Sequence, residues 1–111
     1  MYYVKKTVEV AMAHRLALDY ESKCTGLHGH NAVVTVWCRA RELDRNGMVV
    51  DFSELKRVVK GALDHRFVNE VVDFNPTAEN LARWLCERIP NCYKVSIRES
   101  EHNEATYERD E

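Results

Sequence analysis

Apolar and polar residues alternate with a period of two in three stretches of the chain, which is the pattern of β-strands with one buried face. Residues 2–13 carry Val4, Val8, Val10 and Met12 at even positions, and His14 continues that parity. Residues 31–40 are rich in β-branched side chains, and 93–98 alternate apolar with polar positions. These stretches predict three strands. Two shorter strands are expected, at 48–50 and around 106–107.

Two further stretches repeat their apolar residues at the spacing of amphipathic helices. The first follows Asp51 and Ser53, either of which can cap a helix, and Glu54 suits its positive first turn. The second follows Thr77, a natural N-cap placed directly after Pro76. Residues 15–27 and 68–76, which lack a clear period, are expected to be irregular connections.

The predicted order is strand, strand, helix, helix, strand, strand. This order predicts an α+β domain in which an antiparallel sheet carries both helices on one face. Apolar positions on the other face would need a cover, so we expect a homo-oligomer. With 111 residues, the chain has room for one domain, residues 1–111, with a modest core.

Composition narrows the classes of function. The formal net charge is −2, with 45% hydrophobic and 31% charged residues. This balance gives no general basic field for nucleic acid or an anionic membrane, and no apolar run approaches a membrane span. The start of the chain lacks the features of a signal peptide, and the four cysteines form no C-x-x-C pair. We therefore expect a cytoplasmic protein.

The segment Cys24-Thr-Gly-Leu-His28-Gly-His30 carries the strongest chemical signal. Side chains two apart on a strand share a face, so His28 and His30 can converge on one ion, with His14 as the third ligand. Three protein ligands with an open position are typical of catalytic zinc. A lone histidine would more simply satisfy local hydrogen bonds. Cys24 is either a fourth zinc ligand, as in a structural module, or a reactive base beside the metal.

Three acidic positions have both structural and functional interpretations. Glu99 falls on the apolar side of its strand, where a carboxylate needs a partner. That partner is an internal cation or backbone donors, or a ligand with two parallel N–H groups, such as a pterin or guanine. The pair Asp64-His65 can simply end a helix, or can act as an oriented histidine beside a nucleophile. Glu79 is most simply a first-turn helix acid, and its alternative role is to bind a ligand.

Six ordered motifs resemble the family of 6-pyruvoyl-tetrahydropterin and 6-carboxytetrahydropterin synthases. The matching segments are 13–16, 23–30, 47–56, 63–65, 75–82 and 95–99. The resemblance implies the tunnelling fold, in which a four-stranded antiparallel sheet is backed by two helices. It also implies that three subunits join their sheets into a β-barrel, and that two such trimers usually stack.

The resemblance assigns roles to residues of this chain. It makes His14, His28 and His30 the ligands of one Zn²⁺ per subunit and Cys24 the proton-abstracting base. It implies that Asp64 and His65 relay protons and that Glu99 binds the pterin ring. Thr77 and Glu79 are also expected to contact the substrate. Active sites of this fold lie between subunits, so Cys24 and His65 of one site are expected to come from different chains.

The short spacing from Cys24 to His28 resembles the 6-carboxytetrahydropterin synthases of 7-deazaguanine (queuosine or archaeosine) biosynthesis. The expected activity is conversion of a pterin triphosphate, 7,8-dihydroneopterin triphosphate, to 6-carboxy-5,6,7,8-tetrahydropterin, acetaldehyde and triphosphate. One alternative is 6-pyruvoyl-tetrahydropterin synthase, which eliminates triphosphate without cleaving the side chain. The other is a non-catalytic zinc module closed by Cys24.

Overall fold

The computed structural model describes residues 1–110, which form a five-stranded, mostly antiparallel sheet and two helices. The strands are β1 (Tyr2–His14), β2 (His28–Ala40), β3 (Arg66–Phe67), β4 (Cys92–Ser100) and β5 (Asn103–Glu108), and the helices are α1 (Phe52–Leu63) and α2 (Ala78–Arg88). In the sheet the strand order is β3-β1-β2-β4-β5. The predicted α+β class is confirmed.

β1 and β2 form a long antiparallel pair at the centre of the sheet. The pair runs from Tyr2 opposite Ala40 to His14 opposite His28. On one face, β-branched and other apolar side chains from both strands are almost fully buried, which is why the alternation could be read from the sequence. β4 adds Val95 and Ile97 to the same core.

Capping residues set where both helices begin. The Asp51 side chain accepts a hydrogen bond from the Ser53 amide at 2.8 Å, and α1 starts at Phe52. The Thr77 hydroxyl accepts one from the Asn80 amide at 3.1 Å, and α2 starts at Ala78. Each side chain satisfies an amide that has no partner inside its helix. α1 packs on β1, and α2 packs on β4 and β5.

Three details of the sheet differ from the sequence-based expectation. Residues 48–50 form no strand, because the Asp44 side chain accepts hydrogen bonds from the Asn46 and Met48 amides and holds the chain in a turn. β2 begins at His28 rather than at 31, since its histidine end pairs with the end of β1. The sheet has five strands rather than four, because β3 adds two residues parallel to β1.

The uncovered face of the sheet is more polar than predicted. Lys5 and Lys94 lie over the ring of Trp37, with their ammonium groups 5.9 and 4.6 Å from its centroid. The hydroxyls of Thr7 and Thr35 are 3.3 Å apart on the same face. Contacts between cations and an aromatic ring are stable on a surface exposed to water. This face therefore has less need of a partner subunit to cover apolar side chains than the sequence predicted.

Among residues 1–110, neither helix has the length and apolar character needed to cross a bilayer.

Candidate metal centre and active site

The pairing of β1 with β2 brings three histidines together at one end of the sheet. His14 lies opposite His28, and His30 lies opposite Met12, one step diagonally from His14. All three side chains share the face that leads into the core, and one nitrogen of each lies within 4.8 Å of the others. The structure therefore forms the predicted cluster, and its three imidazoles could hold one metal ion.

Backbone carbonyls fix the orientation of two of these rings. His14 Nδ1 lies 2.8 Å from the carbonyl oxygen of Pro76, and His28 Nδ1 lies 3.0 Å from that of Gly26. A carbonyl oxygen can only accept, so each Nδ1 carries the proton and leaves Nε2 with a lone pair. Hydrogen bonds of this kind orient the rings of histidines that bind metals.

The buried nitrogens of the cluster fit a cation. Among residues 1–110, Nε2 of His14 and Nε2 of His30 are the buried side-chain polar atoms that make no hydrogen bond. Leaving such atoms unpaired costs free energy, and a metal ion would satisfy both. Burial lowers the pKa of His30, partly opposed by Glu99, and this favours the neutral form that binds metal. The donor set suits zinc.

Cys24 lies near the cluster but outside the set of atoms that could share the ion. It sits in a short 3-10 helix, Lys23–Thr25, capped by the Ser22 side chain. Its thiol is free and half-buried, and it is not part of the metal-capable group found among residues 1–110. By contrast, Cys38, Cys86 and Cys92 are buried in the core.

A cavity of about 440 Å³ brings Cys24 together with three other residues predicted from the sequence. Thr77 and Glu79, at the start of α2, and Glu99, on β4, line it together with Cys24. Thr77 spends its hydroxyl on the α2 cap, whereas Glu79 is exposed. The cavity can therefore hold a small molecule against both the thiol and the Glu99 carboxylate.

Glu99 connects this cavity to the histidines. Its Oε1 lies 4.0 Å from Nε2 of both His14 and His30, and its side chain remains 27% exposed. The Glu99 carboxylate therefore lies beside the histidine cluster, at a distance longer than a hydrogen bond. A ligand that Glu99 held in the cavity would lie directly beside the metal position.

Asp64 and His65 lie on another side of the histidine cluster. The Asp64 carboxylate accepts a hydrogen bond from the Ala11 amide at 2.9 Å, and this bond lowers its pKa. Its Oδ2 is 3.7 Å from His65 Nε2, and the His65 side chain is 84% exposed. His65 lines a separate cavity of about 580 Å³ that contains His30. Neither of these two cavities is lined by both His65 and Cys24.

The cavity of about 440 Å³ that contains Cys24 is also lined by residues that sequence reasoning missed. The turn between β4 and β5 contributes His102, and the start of β5 contributes Asn103 and Glu104. The loop after β1 contributes Leu16, Leu18 and Tyr20. His102 follows Glu99 by three residues, so its proximity to Glu99 was the available signal. The three loop residues continue the even parity of β1, and this alternation was the available signal for them.

Comparison with known proteins agrees with this geometry. The sequence profile of the 6-pyruvoyl tetrahydropterin synthase family matches residues 3–110. A 6-carboxy-5,6,7,8-tetrahydropterin synthase of Bacillus subtilis is 28% identical, over 94% of this chain and 83% of its own length. A dihydroneopterin monophosphate aldolase of Pyrococcus furiosus is 46% identical over a shorter region, 57% of this chain and 55% of its own length.

The solved structure of the Caenorhabditis elegans 6-pyruvoyl tetrahydropterin synthase has the same fold. It superposes with a TM-score of 0.75 and 30% sequence identity, covering 98% of this chain and 96% of its own. The similarity therefore extends over both helices and the whole sheet.

Proposed function

The chain belongs to the 6-pyruvoyl tetrahydropterin synthase family, and from this premise we propose that it is a zinc-dependent lyase acting on 7,8-dihydroneopterin triphosphate. The proposed products are 6-carboxy-5,6,7,8-tetrahydropterin, acetaldehyde and triphosphate. The observation that carries the proposal is the position of Glu99, which lines a cavity with Cys24 and approaches two of the three histidines to 4.0 Å.

Three side chains of one chain would hold the metal: His14, His28 and His30. When bound there, zinc supplies Lewis acidity toward the hydroxyl oxygens of the substrate side chain. The carbonyls of Pro76 and Gly26 keep two of the rings in the tautomer that this role requires.

Recognition of the pterin is the proposed role of the acidic cavity. A pterin presents an amino group and a ring N–H side by side, and a carboxylate such as Glu99 can accept both. The cavity is also lined by Glu79 and Glu104, and no lysine or arginine is among its lining residues in the part of the chain that the structure describes. This charge suits a donor-rich heterocycle and disfavours phosphates, so the triphosphate would point out of the cavity.

Proton transfer is the proposed role of Cys24, Asp64 and His65. The Cys24 thiolate would remove a proton from the substrate side chain, and His65 would donate a proton back to the substrate. The lowered pKa of Asp64 keeps that carboxylate ionised beside His65, where it can orient the ring and stabilise its protonated form.

A site of this kind is completed between subunits. Cys24 and His65 of one chain line separate cavities, so we infer that the His65 of a neighbouring copy reaches the Cys24 cavity. The free edges of the sheet permit this arrangement. Among residues 1–110, β3 pairs with the outer edge of β1 only at Met12 and Ala13, and β5 forms the other edge. A trimeric β-barrel, alone or stacked in pairs, would pair both edges.

The choice of product rests on the short Cys24–His28 spacing and on the named activity of the Bacillus subtilis relative. On this basis we propose that the reaction belongs to 7-deazaguanine synthesis. The alternative, 6-pyruvoyl-tetrahydropterin synthase activity, would use the same residues without cleaving the side chain. The similarity to the Pyrococcus furiosus aldolase favours a second candidate, aldol cleavage of dihydroneopterin monophosphate.

Product analysis by mass spectrometry tests the proposal. Zinc-loaded protein is incubated separately with 7,8-dihydroneopterin triphosphate and with the monophosphate. We expect 6-carboxytetrahydropterin and acetaldehyde from the triphosphate. A 6-pyruvoyl product would replace the proposed reaction with its alternative, cleavage of the monophosphate alone would favour the aldolase, and unchanged substrates would contradict a pterin lyase.

A further inference from the structure

The loop that follows β1 is held by an asparagine side chain. The amide of Ala17 donates to Asn75 Oδ1 at 2.8 Å, and Asn75 Nδ2 donates back to the Ala17 carbonyl at 2.9 Å. The side-chain amide of Asn75 therefore satisfies both backbone groups of one loop residue, as a neighbouring strand would. An amide is the side chain that offers a donor and an acceptor in this geometry.

A second asparagine repeats the arrangement two residues earlier in the loop. Arg15 donates its amide to Asn69 Oδ1 at 2.8 Å, and Asn69 Nδ2 donates to the Arg15 carbonyl at 2.9 Å. Asn69 lies in the short 3-10 helix Val68–Glu70. The two asparagines thus grip alternate residues of the loop, while the side chains of Leu16 and Leu18 line the cavity.

Asn69 and Asn75 together form an asparagine clamp on the loop after β1. The loop held by this clamp also contacts the candidate base directly. The amide of Leu16, between the two gripped residues, donates to the Cys24 carbonyl at 3.0 Å. Pro76 follows Asn75 in the chain, and its carbonyl oxygen accepts a hydrogen bond from His14 Nδ1 at 2.8 Å. The dipeptide Asn75-Pro76 therefore contacts both the metal ligand and the loop that carries the thiol.

We propose that Asn75, assisted by Asn69, is a positioning residue that fixes the Cys24 thiol and the cavity wall relative to the metal ligands. This inference rests on the proposed function for its effect on turnover, but not for its effect on the thiol. Misplacement of a reacting group by about 1 Å can lower a rate by about a hundredfold. By holding the irregular loop between β1 and β2 in place, the asparagine clamp would prevent this loss of reaction rate.

The test compares three variants with the zinc-loaded wild-type protein. Asn75→Ala removes both bonds to Ala17, and Asn75→Asp keeps the acceptor for the Ala17 amide but loses the donor. Asn91→Gly is the matched control, because Asn91 also donates its side chain to a backbone carbonyl, that of Val49, and its φ of 65° suits glycine. Asn91 lies before β4, beside the end of β2 remote from the histidines.

Two measurements are made on each variant. The first is the rate of Cys24 alkylation without substrate, assigned by peptide mapping, since the other three cysteines are buried. The second is kcat and KM with the pterin substrate. We expect the Asn75→Ala protein to retain zinc. Its Cys24 should be alkylated by the reagent several-fold faster than in the wild type, and its kcat should fall by about tenfold to a hundredfold. Asn75→Asp should lie between it and the wild type, and Asn91→Gly should match the wild type.

Unchanged Cys24 alkylation in both Asn75 variants would overturn the inference, as would an equal change in Asn91→Gly. If Asn75→Ala does not fold, Asn75→Asp decides by the same criterion. Faster alkylation of Cys24 in a protein whose wild type turns over no pterin would support the positioning role and count only against the proposed function.

Discussion

The three histidines owe their convergence to the register of one strand pair. His14 is the last residue of β1 and His28 the first of β2, and they lie directly opposite one another. A shift of one residue in this register would turn two of the ligands to the other face of the sheet. The buried apolar residues behind them fix that register, so the core and the metal centre depend on the same pairing.

Replacement of His28 tests the ligand set. We expect His28→Ala to lose bound zinc, because two imidazoles cannot match the affinity of three. Zinc content per chain, measured by elemental mass spectrometry after dialysis, is the readout. His102→Ala is the control, since His102 lines the cavity but lies outside the metal-capable group. A His28→Ala protein that kept one zinc per chain would remove His28 from the ligands.

Replacement of Cys24 separates the base from a fourth ligand. We expect Cys24→Ala to keep its zinc and to lose about a hundredfold or more in kcat, the size of a general-base contribution. Zinc content and turnover are measured on the same preparation. Loss of the metal would instead support the structural zinc module, and so would a Cys24 thiol that resists alkylation in the zinc-loaded wild type.

The lowered pKa of His30 predicts an acid-sensitive metal-free protein. Because burial lowers the pKa of His30 in the folded state, the unfolded chain binds more protons as the pH falls below about 6.5. The stability associated with neutral His30 is therefore present above that pH and lost as the pH falls through the folded-state pKa. Urea unfolding at pH 7.5 and 5.5 should show a smaller pH effect in His30→Gln than in the wild type. Equal pH effects would contradict this.

At the scale of elements, α1 depends on its N-cap. Asp51→Ala should lower the free energy of unfolding by about 1 kcal/mol, because the Ser53 amide loses its partner. Ser53→Ala, which leaves the Asp51 carboxylate in place, should cost less. Urea denaturation at neutral pH measures both. An Asp51→Ala protein as stable as the wild type would show that packing alone sets the start of α1.

The elements that the sequence predicted are those with a local cause. Alternating apolar residues predicted β1, β2 and β4, and capping residues predicted α1 and α2. The strand expected at 48–50 was wrong because the side-chain bonds of Asp44 outweigh the β propensity of two valines. β3 could not be predicted, since two residues carry no period and pair only because α1 delivers them to the edge of β1.

The candidate site was predictable to a similar extent. His14, His28 and His30 share the parity of their strands, so their convergence follows from pairing. The clamp on the loop after β1 was not predictable. Asn69 and Asn75 lie 54 and 58 residues from the backbone groups they bind, and nothing local marks such a contact.

At the scale of the whole molecule, one chain contains the parts of a site without assembling them. Cys24 and Glu99 share one cavity, and His65 is exposed in another. The His65 side chain is exposed, with Nε2 3.7 Å from the Asp64 carboxylate, so a neighbouring copy can reach it. The proposed mechanism therefore requires an oligomer in which each complete site contains Cys24 from one subunit and His65 from another.

Turnover by mixed oligomers is the measurement that tests this account most directly. Cys24→Ala and His65→Ala proteins, each inactive alone, are unfolded together in equal amounts, refolded with zinc and assayed with 7,8-dihydroneopterin triphosphate. Random assembly places an intact Cys24 beside an intact His65 from another chain at about one site in four. The proposed mechanism predicts recovery of about a quarter of the wild-type turnover. No recovery from oligomers shown by native mass spectrometry to contain both variants would contradict it.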